Sequence, residues 1–247
     1  MTAETVLYLV LGAVAGGFIN GFSGTGTALF ALGFYLVVLD PITAVAVVAL
    51  MAVLAGLQGI WVVRHAIMAH PRRPLGFIIP ALIGIPIGLA LLTVMNTGAL
   101  RLTTAMVLIV YGGYFSFRTS LPSFTRPTPY IDRGVGFIGG VLGGAAGISG
   151  AIPAMWLSMR SWPKAEIRAI MQSFNITVLV TTVFLLFLKG AYDATALSAL
   201  IVTIPCGLIA AQIGIFVFRR LSDELFRRVL IGLTFLMGVG VFISEVI

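Results

Sequence analysis

Two short stretches of this 247-residue chain place glycines and hydroxyl side chains inside otherwise apolar sequence. The first is Asn20-Gly21-Phe22-Ser23-Gly24-Thr25-Gly26-Thr27, and the second is Gly143-Gly144-Ala145-Ala146-Gly147-Ile148-Ser149-Gly150. Glycine lets a ligand approach backbone N–H groups closely. Ser23, Thr25, Thr27 and Ser149 add hydroxyl donors, and Gln172 and Asn175 add carboxamide donors. A donor-rich set of this kind suits an oxyanion. The candidate substrate-binding residues are Asn20, Ser23, Gly24, Thr25, Gly26 and Thr27 in the first stretch, Gly147, Ile148, Ser149 and Gly150 in the second, and Gln172 and Asn175 beyond them. A plainer reading stands beside this one. Small residues also serve packing or hinges, and Gln, Asn, Ser and Thr in membrane helices commonly bond to neighbouring helices. Other chemistry is poorly supplied. Glu4, Asp40, Asp132, Glu166, Asp193, Asp223, Glu224 and Glu245 all fall at the ends of apolar runs or between them. His65 and His70 lie near one such end, and Cys206 is the single cysteine. No nucleophile, metal cluster or paired carboxylate is available at depth for an enzyme. No metal and no cofactor is expected.

The elements that must position these residues follow from composition. Apolar residues make up 60% of the chain and charged residues 9%, against about 25% charged in soluble domains. The mean hydropathy is +1.12. Such a chain cannot clothe a soluble enzyme in solvated charge. Its apolar residues run continuously rather than alternating, which excludes a transmembrane β-barrel. The expectation is an all-α integral membrane protein. Six runs are long enough to span: 42–63, 75–94, 102–117, 167–188, 194–217 and 229–246. Two regions, 6–39 and 134–159, are interrupted by the glycine-rich stretches. As helix, Val6–Ile19 would reach ~21 Å and Ala28–Leu39 ~18 Å, and the arms of the second region ~14 Å each. The hydrocarbon core is ~30 Å thick. Each interrupted region therefore reads as a helical hairpin whose tip lies within the membrane, where protein or water must satisfy the bent backbone. Full crossing by all four arms, giving ten spans, has the same parity.

The net charge of +7 is distributed as a topology signal rather than as a nucleic-acid-binding face. With the N-terminus outside and each hairpin re-entrant, thirteen Lys and Arg residues, among them Arg64 and Arg168, fall on one side, and only Arg101 and Lys189 on the other. That is the positive-inside pattern. Both termini are placed outside and the basic loops in the cytoplasm. The first run is preceded by Glu4 rather than a basic region, so it reads as retained rather than as a signal peptide. Arg64 and His65 end the first long span, and with Trp156 they are candidate gate residues; a topology anchor or interface belt is the alternative for each.

The sequence also repeats at a spacing near 119. Gly17-Phe18-Ile19 matches Gly136-Phe137-Ile138, Gly21 matches Gly140, and Pro86-x-Gly88-Leu89 matches Pro205-x-Gly207-Leu208. The chain divides into a first repeat at 1–120, a cytoplasmic linker at 121–133 and a second repeat at 134–247. Each repeat holds one hairpin and three spans. Three is odd, so the second repeat is inverted relative to the first, as in many secondary transporters. The second arm of each hairpin would begin at depth, and two helix starts facing one region favour an anion.

Gly17-Phe18-Ile19-Asn20-Gly21-Phe22-Ser23-Gly24-Thr25-Gly26, Asp40-Pro41 and the block Gly136-Phe137-Ile138-Gly139-Gly140-Val141-Leu142-Gly143 resemble the sulfite exporter TauE/SafE family. The likeness covers nearly the whole chain, including the duplicated layout. It departs at Thr25 and Thr27, at Ala145-Ala146, and on the following spans. There, a Gly-Thr-Ser common in the family reads Ala49-Leu50-Met51 and Met171-Gln172-Ser173. The resemblance implies export of a small sulfur-containing anion, sulfite or an organosulfonate such as sulfoacetate, across the bacterial inner membrane. Its partners would be that anion and the lipid bilayer, with no nucleic acid; a coupling ion and a homo-oligomer are left open. An uptake permease for another small anion and a non-transporting membrane assembly protein are the competing readings.

Overall fold

Small residues decide which helices in this chain touch. A computed structural model describes residues 2–91, 97–116, 124–146 and 149–246. Among these the chain forms ten helices and no strand: α1 (Ala3–Ser23), α2 (Thr27–Tyr35), α3 (Pro41–Ala69), α4 (Arg72–Leu91), α5 (Thr97–Ser116), α6 (Pro129–Ala146), α7 (Ala151–Ser158), α8 (Lys164–Leu188), α9 (Ala194–Arg220) and α10 (Asp223–Val246). α1, α3, α8, α9 and α10 are long and apolar enough to cross a membrane. The chain is a multi-pass membrane protein.

The contacts group these helices into two units, one of Met1–Arg64 with Asn175–Arg220 and one of His65–Phe174 with Leu221–Ile247. Each unit draws on both halves of the chain.

In the first unit α1 lies along α9. A Cβ added at Gly17 would strike the backbone of Gly207, and one at Gly21 would strike Ala211. Both contacts advance together, so the two helices run parallel. With no side chain at either glycine, the backbones approach closely, the small-xxx-small packing that drives helix association in lipid. α2 folds back along α1, with Gly16 against Thr27 and Ala31, and Gly12 against the Tyr35 ring. Behind them Leu9, Ala13, Ala31, Tyr35, Val47, Met51, Ala196, Ala199 and Leu200 form a buried apolar cluster.

The second unit contains a comparable pair. α6 lies along α4, with Gly136 on the Phe77 backbone and Gly140 on Ala81, again in parallel. α7 folds back along α6, where Gly139 faces Ser149 and Pro153. α5 and α10 run antiparallel, with Gly112 on Phe235 and Gly238 on Ile109. Ser158 ties three helices at the end of α7. Its hydroxyl lies 2.6 Å from the Tyr111 hydroxyl on α5, and its carbonyl accepts from Arg227 Nε on α10 at 3.0 Å.

Two expectations need correcting. First, α1 runs unbroken through Asn20-Gly21-Phe22-Ser23, so its 21 residues reach about 31 Å rather than ~21 Å. The glycines there are packing surfaces, not breaks. Only Gly24 (φ 84°) and Gly26 (φ 91°), in the left-handed region, turn the chain. α2 has 9 residues and α7 has 8, both too short to cross alone. Second, α6 begins at Pro129, inside the stretch read as a linker. Proline suits a first helical position, and Asp132 complements the helix start. The segment before it is anchored, since the Phe124 N–H donates to the Met159 carbonyl at 3.0 Å. The glycine contacts fall on Phe77 and Ala81 of α4 and on Gly207 and Ala211 of α9, residue numbers 130 apart.

Helix α3 starts at a carboxylate cap. Asp40 Oδ1 accepts the N–H groups of Ile42 and Thr43, each at 3.1 Å. A bond from the Thr43 hydroxyl, then the N–H bonds of Thr43 and Ile42, hold the Asp40 carboxyl below its ordinary pKa. A depressed carboxylate stabilises the fold above its unfolded pKa, and the contribution disappears as pH falls through the folded value. Protection of the Ile42–Ala44 amides, taken against the intrinsic exchange rate at each pH, is therefore expected to fall in acid. Asp40→Asn should keep the cap and lose that pH dependence of protection, and Asp40→Ala should be weakly protected at every pH.

Candidate functional site

The first glycine-rich stretch is a small polar node inside the first unit. Asn20 is fully buried on α1. Its Nδ2 donates to Thr27 Oγ1 at 2.8 Å and to the Ala52 carbonyl of α3 at 3.1 Å, so one amide joins α1, the start of α2 and α3. Ser23 Oγ lies 2.9 Å from the carbonyls of both Ile19 and Thr25. Thr25 and Thr27 are also buried. Gly24 closes α1, its N–H donating to the Asn20 carbonyl. Gly26 opens α2 with no side-chain cap. The first-turn N–H groups of α2 have no intrahelical acceptor and no cap from the Gly26 side, and they lie at the positive end of the helix dipole.

In the second unit Ser149 and Gly150 are buried, and Gly150 opens α7, again with no side-chain cap. Gly147 and Ile148 lie outside the described residues.

α8 carries the third group. Gln172 is fully buried and Asn175 is 5% exposed. Asn175 Nδ2 is buried with no hydrogen-bond partner among the described residues. A buried donor left unmade costs about 1–3 kcal/mol, so this amide is set to receive an acceptor. Four residues before Gln172 stands Arg168, whose side chain is also fully buried. Arg168, Gln172 and Asn175 are spaced i, i+4, i+7, which places them along one face of the helix. The sequence reading counts Arg168 as a basic residue of the cytoplasmic side, at the start of span 167–188, and does not place it among the site candidates. The structure adds that its side chain is buried in the first turns of α8. The i, i+4, i+7 spacing was the signal that could have found it.

Other polar residues take the plainer role. Gln212 Nε2 of α9 donates to Gln58 Oε1 of α3 at 2.9 Å. Thr181 and Thr182 bond back to the carbonyls of Thr177 and Val178 in their own helix. Among the candidate gate residues, Arg64 lies 4.1 Å over the Trp61 ring and donates to its carbonyl at 2.8 Å, both on α3. His65 is exposed. Trp156 is buried, stacked on Phe124, and its Nε1 donates to Asp132 Oδ1 at 2.7 Å.

The family model described as sulfite exporter TauE/SafE matches residues 8–241. The chain belongs to the TauE/SafE family. That match takes in α2, α7, the stripe on α8 and nearly all of the other helices. TauE/SafE proteins are membrane transporters, not enzymes. No curated protein and no solved structure matches the chain.

Proposed function

We propose that this chain is a secondary transporter exporting sulfite or an organosulfonate such as sulfoacetate across the bacterial inner membrane by alternating access. The anion is held between the two glycine-rich turns, with Gln172 and Asn175 as further donors. Family membership supports a transporter of small sulfur anions. The observation that carries the site reading is the Asn175 amide, buried with an unmet donor on a membrane-spanning helix. The uncapped starts of α2 and α7 add donors of the same sign.

Two inverted repeats are the frame proposed for this movement, with both termini periplasmic. The parallel pairs α1–α9 and α4–α6 and the antiparallel pair α5–α10 have the helix directions that this topology requires. In the last pair Gly112 and Ile109 correspond to Gly238 and Phe235, both 126 residues apart, and each glycine meets the other's partner. That reciprocity is what duplicated helices produce when they pack on each other.

Counterflow of labelled sulfite, sulfoacetate and taurine in proteoliposomes, with and without a pH gradient, tests the reading. Saturable exchange of at least one is expected. A variant carrying Thr25→Leu, Ser149→Leu and Asn175→Leu should lose it while remaining monodisperse. Unchanged affinity in that variant would show the site to be misplaced, and no flux across a wide anion panel would favour the assembly-protein reading.

A further inference from the structure

We propose that the second unit contains a separate anion site at the loop ends of α4, α6 and α7, built for a phosphate-class oxyanion. Its source is either the headgroup of an anionic phospholipid or a free inorganic oxyanion.

A cavity of about 390 Å³ opens there, with Arg72, Arg73, Arg133, Arg160, Thr125 and Trp162 in its lining. None of these residues belongs to the candidate transport site. Asp132 is the acidic residue among those lining it. Its Oδ1 is already engaged by Trp156 Nε1 and lies 3.4 Å from Thr128 Oγ1. Arg73 is paired with Glu166 outside the lining. Arg72 and Arg133 are exposed, with no ion pair among the described residues. The lining thus carries a clear excess of positive charge.

The arrangement is built rather than scattered. Arg160 is 1% exposed. Its Nη1 donates to the Arg126 carbonyl at 3.0 Å and to Thr128 Oγ1 at 2.9 Å, which fixes the guanidinium in the wall. Its Nε is buried without a hydrogen-bond partner among the described residues. Two guanidinium groups lie over the Trp162 ring, Arg160 at 4.4 Å and Arg73 at 4.8 Å. A cation held on an aromatic face is preoriented. Guanidinium forks match the geometry of phosphate oxygens, often in pairs of parallel bonds. Basic pockets among helices at the cytoplasmic side of membrane proteins are suited to anionic headgroups.

Three proteins separate the outcomes: the parent, Arg72→Gln/Arg133→Gln, and Arg219→Gln/Arg220→Gln. The last removes the same charge from exposed positions at the end of α9, outside this cavity. Native mass spectrometry reads retained phosphatidylglycerol and cardiolipin, with phosphatidylcholine as control. Calorimetric titration reads inorganic phosphate and sulfate. The first double variant should bind at least about tenfold more weakly, the loss expected when charge-assisted contacts are removed, and the second should bind like the parent. If the loss appears with the lipids, the site takes a headgroup; if it appears with phosphate or sulfate, it takes a free oxyanion. Equal losses in both double variants would mean diffuse surface charge, and binding of neither class would mean no site. Either result overturns the proposal.

Discussion

Gly17→Ala is expected to unfold the α1–α9 pair, although it adds a single methyl group. The added Cβ would land on the Gly207 backbone, with its Cα at 2.8 Å and its carbonyl carbon at 2.9 Å. Backbone cannot rotate away as the end of a flexible side chain can. Relief requires separating two helices along their length, and that forfeits the close contact that holds them together in lipid. Overpacking of a tight contact costs about 1–3 kcal/mol and occasionally more; with backbone as the obstacle, about 3 kcal/mol is the expected floor. Gly136→Ala should behave alike, because its Cβ meets Phe77 Cα at 2.7 Å. Gly76→Ala is the control. Nothing lies within 4 Å of its Cβ position, and alanine is the better helix former by up to about 1 kcal/mol. Thermal unfolding of the detergent-solubilised protein, followed by tryptophan fluorescence, reads all three. A Gly17→Ala midpoint equal to that of Gly76→Ala would refute the packing register.

The same glycines explain where the sequence could be read and where it misled. Apolar run length located α8 and α9 to within three residues and α3 and α10 to within six, because membrane thickness fixes span length. What run length cannot distinguish is a glycine that bends the chain from one that admits a neighbour. Gly21 and Gly24 are three residues apart in the same stretch. One is helical under Ala211; the other is left-handed at the helix end. The difference lies in α9, nearly two hundred residues away. Site residues show the same limit. Asn20 was legible as a polar group at a glycine-rich turn, but its joining of α2 and α3 through Thr27 and Ala52 depends on tertiary contact. Arg168 was hidden by its neighbours. Lys164, Glu166 and Arg168 form a charged run of the kind that usually lies in solvent, and only burial separates the one that faces inward.

Replacing Arg168 by Gln should then reduce transport by about a hundredfold, the order of effect seen when one member of a buried, charge-assisted contact is removed. A fully buried guanidinium on a membrane-spanning helix is expensive to maintain, and such residues commonly serve ion or substrate pathways. Arg168 shares its helix face with Gln172 and with the unmet donor of Asn175. An arriving anion would accept from these donors, and the guanidinium fork would add paired bonds along the same stripe. Arg168→Lys keeps the charge but loses the planar fork, so it should retain measurable flux with a raised half-saturation concentration, whereas Arg168→Gln should lose binding itself. A purely structural arginine would behave differently. Both variants would lower the unfolding midpoint, and in the fraction that remains folded the affinity for sulfite or sulfoacetate would match the parent. Equilibrium binding measured on monodisperse protein beside its melting curve separates the two. Parent-like affinity in folded Arg168→Gln would remove Arg168 from the site.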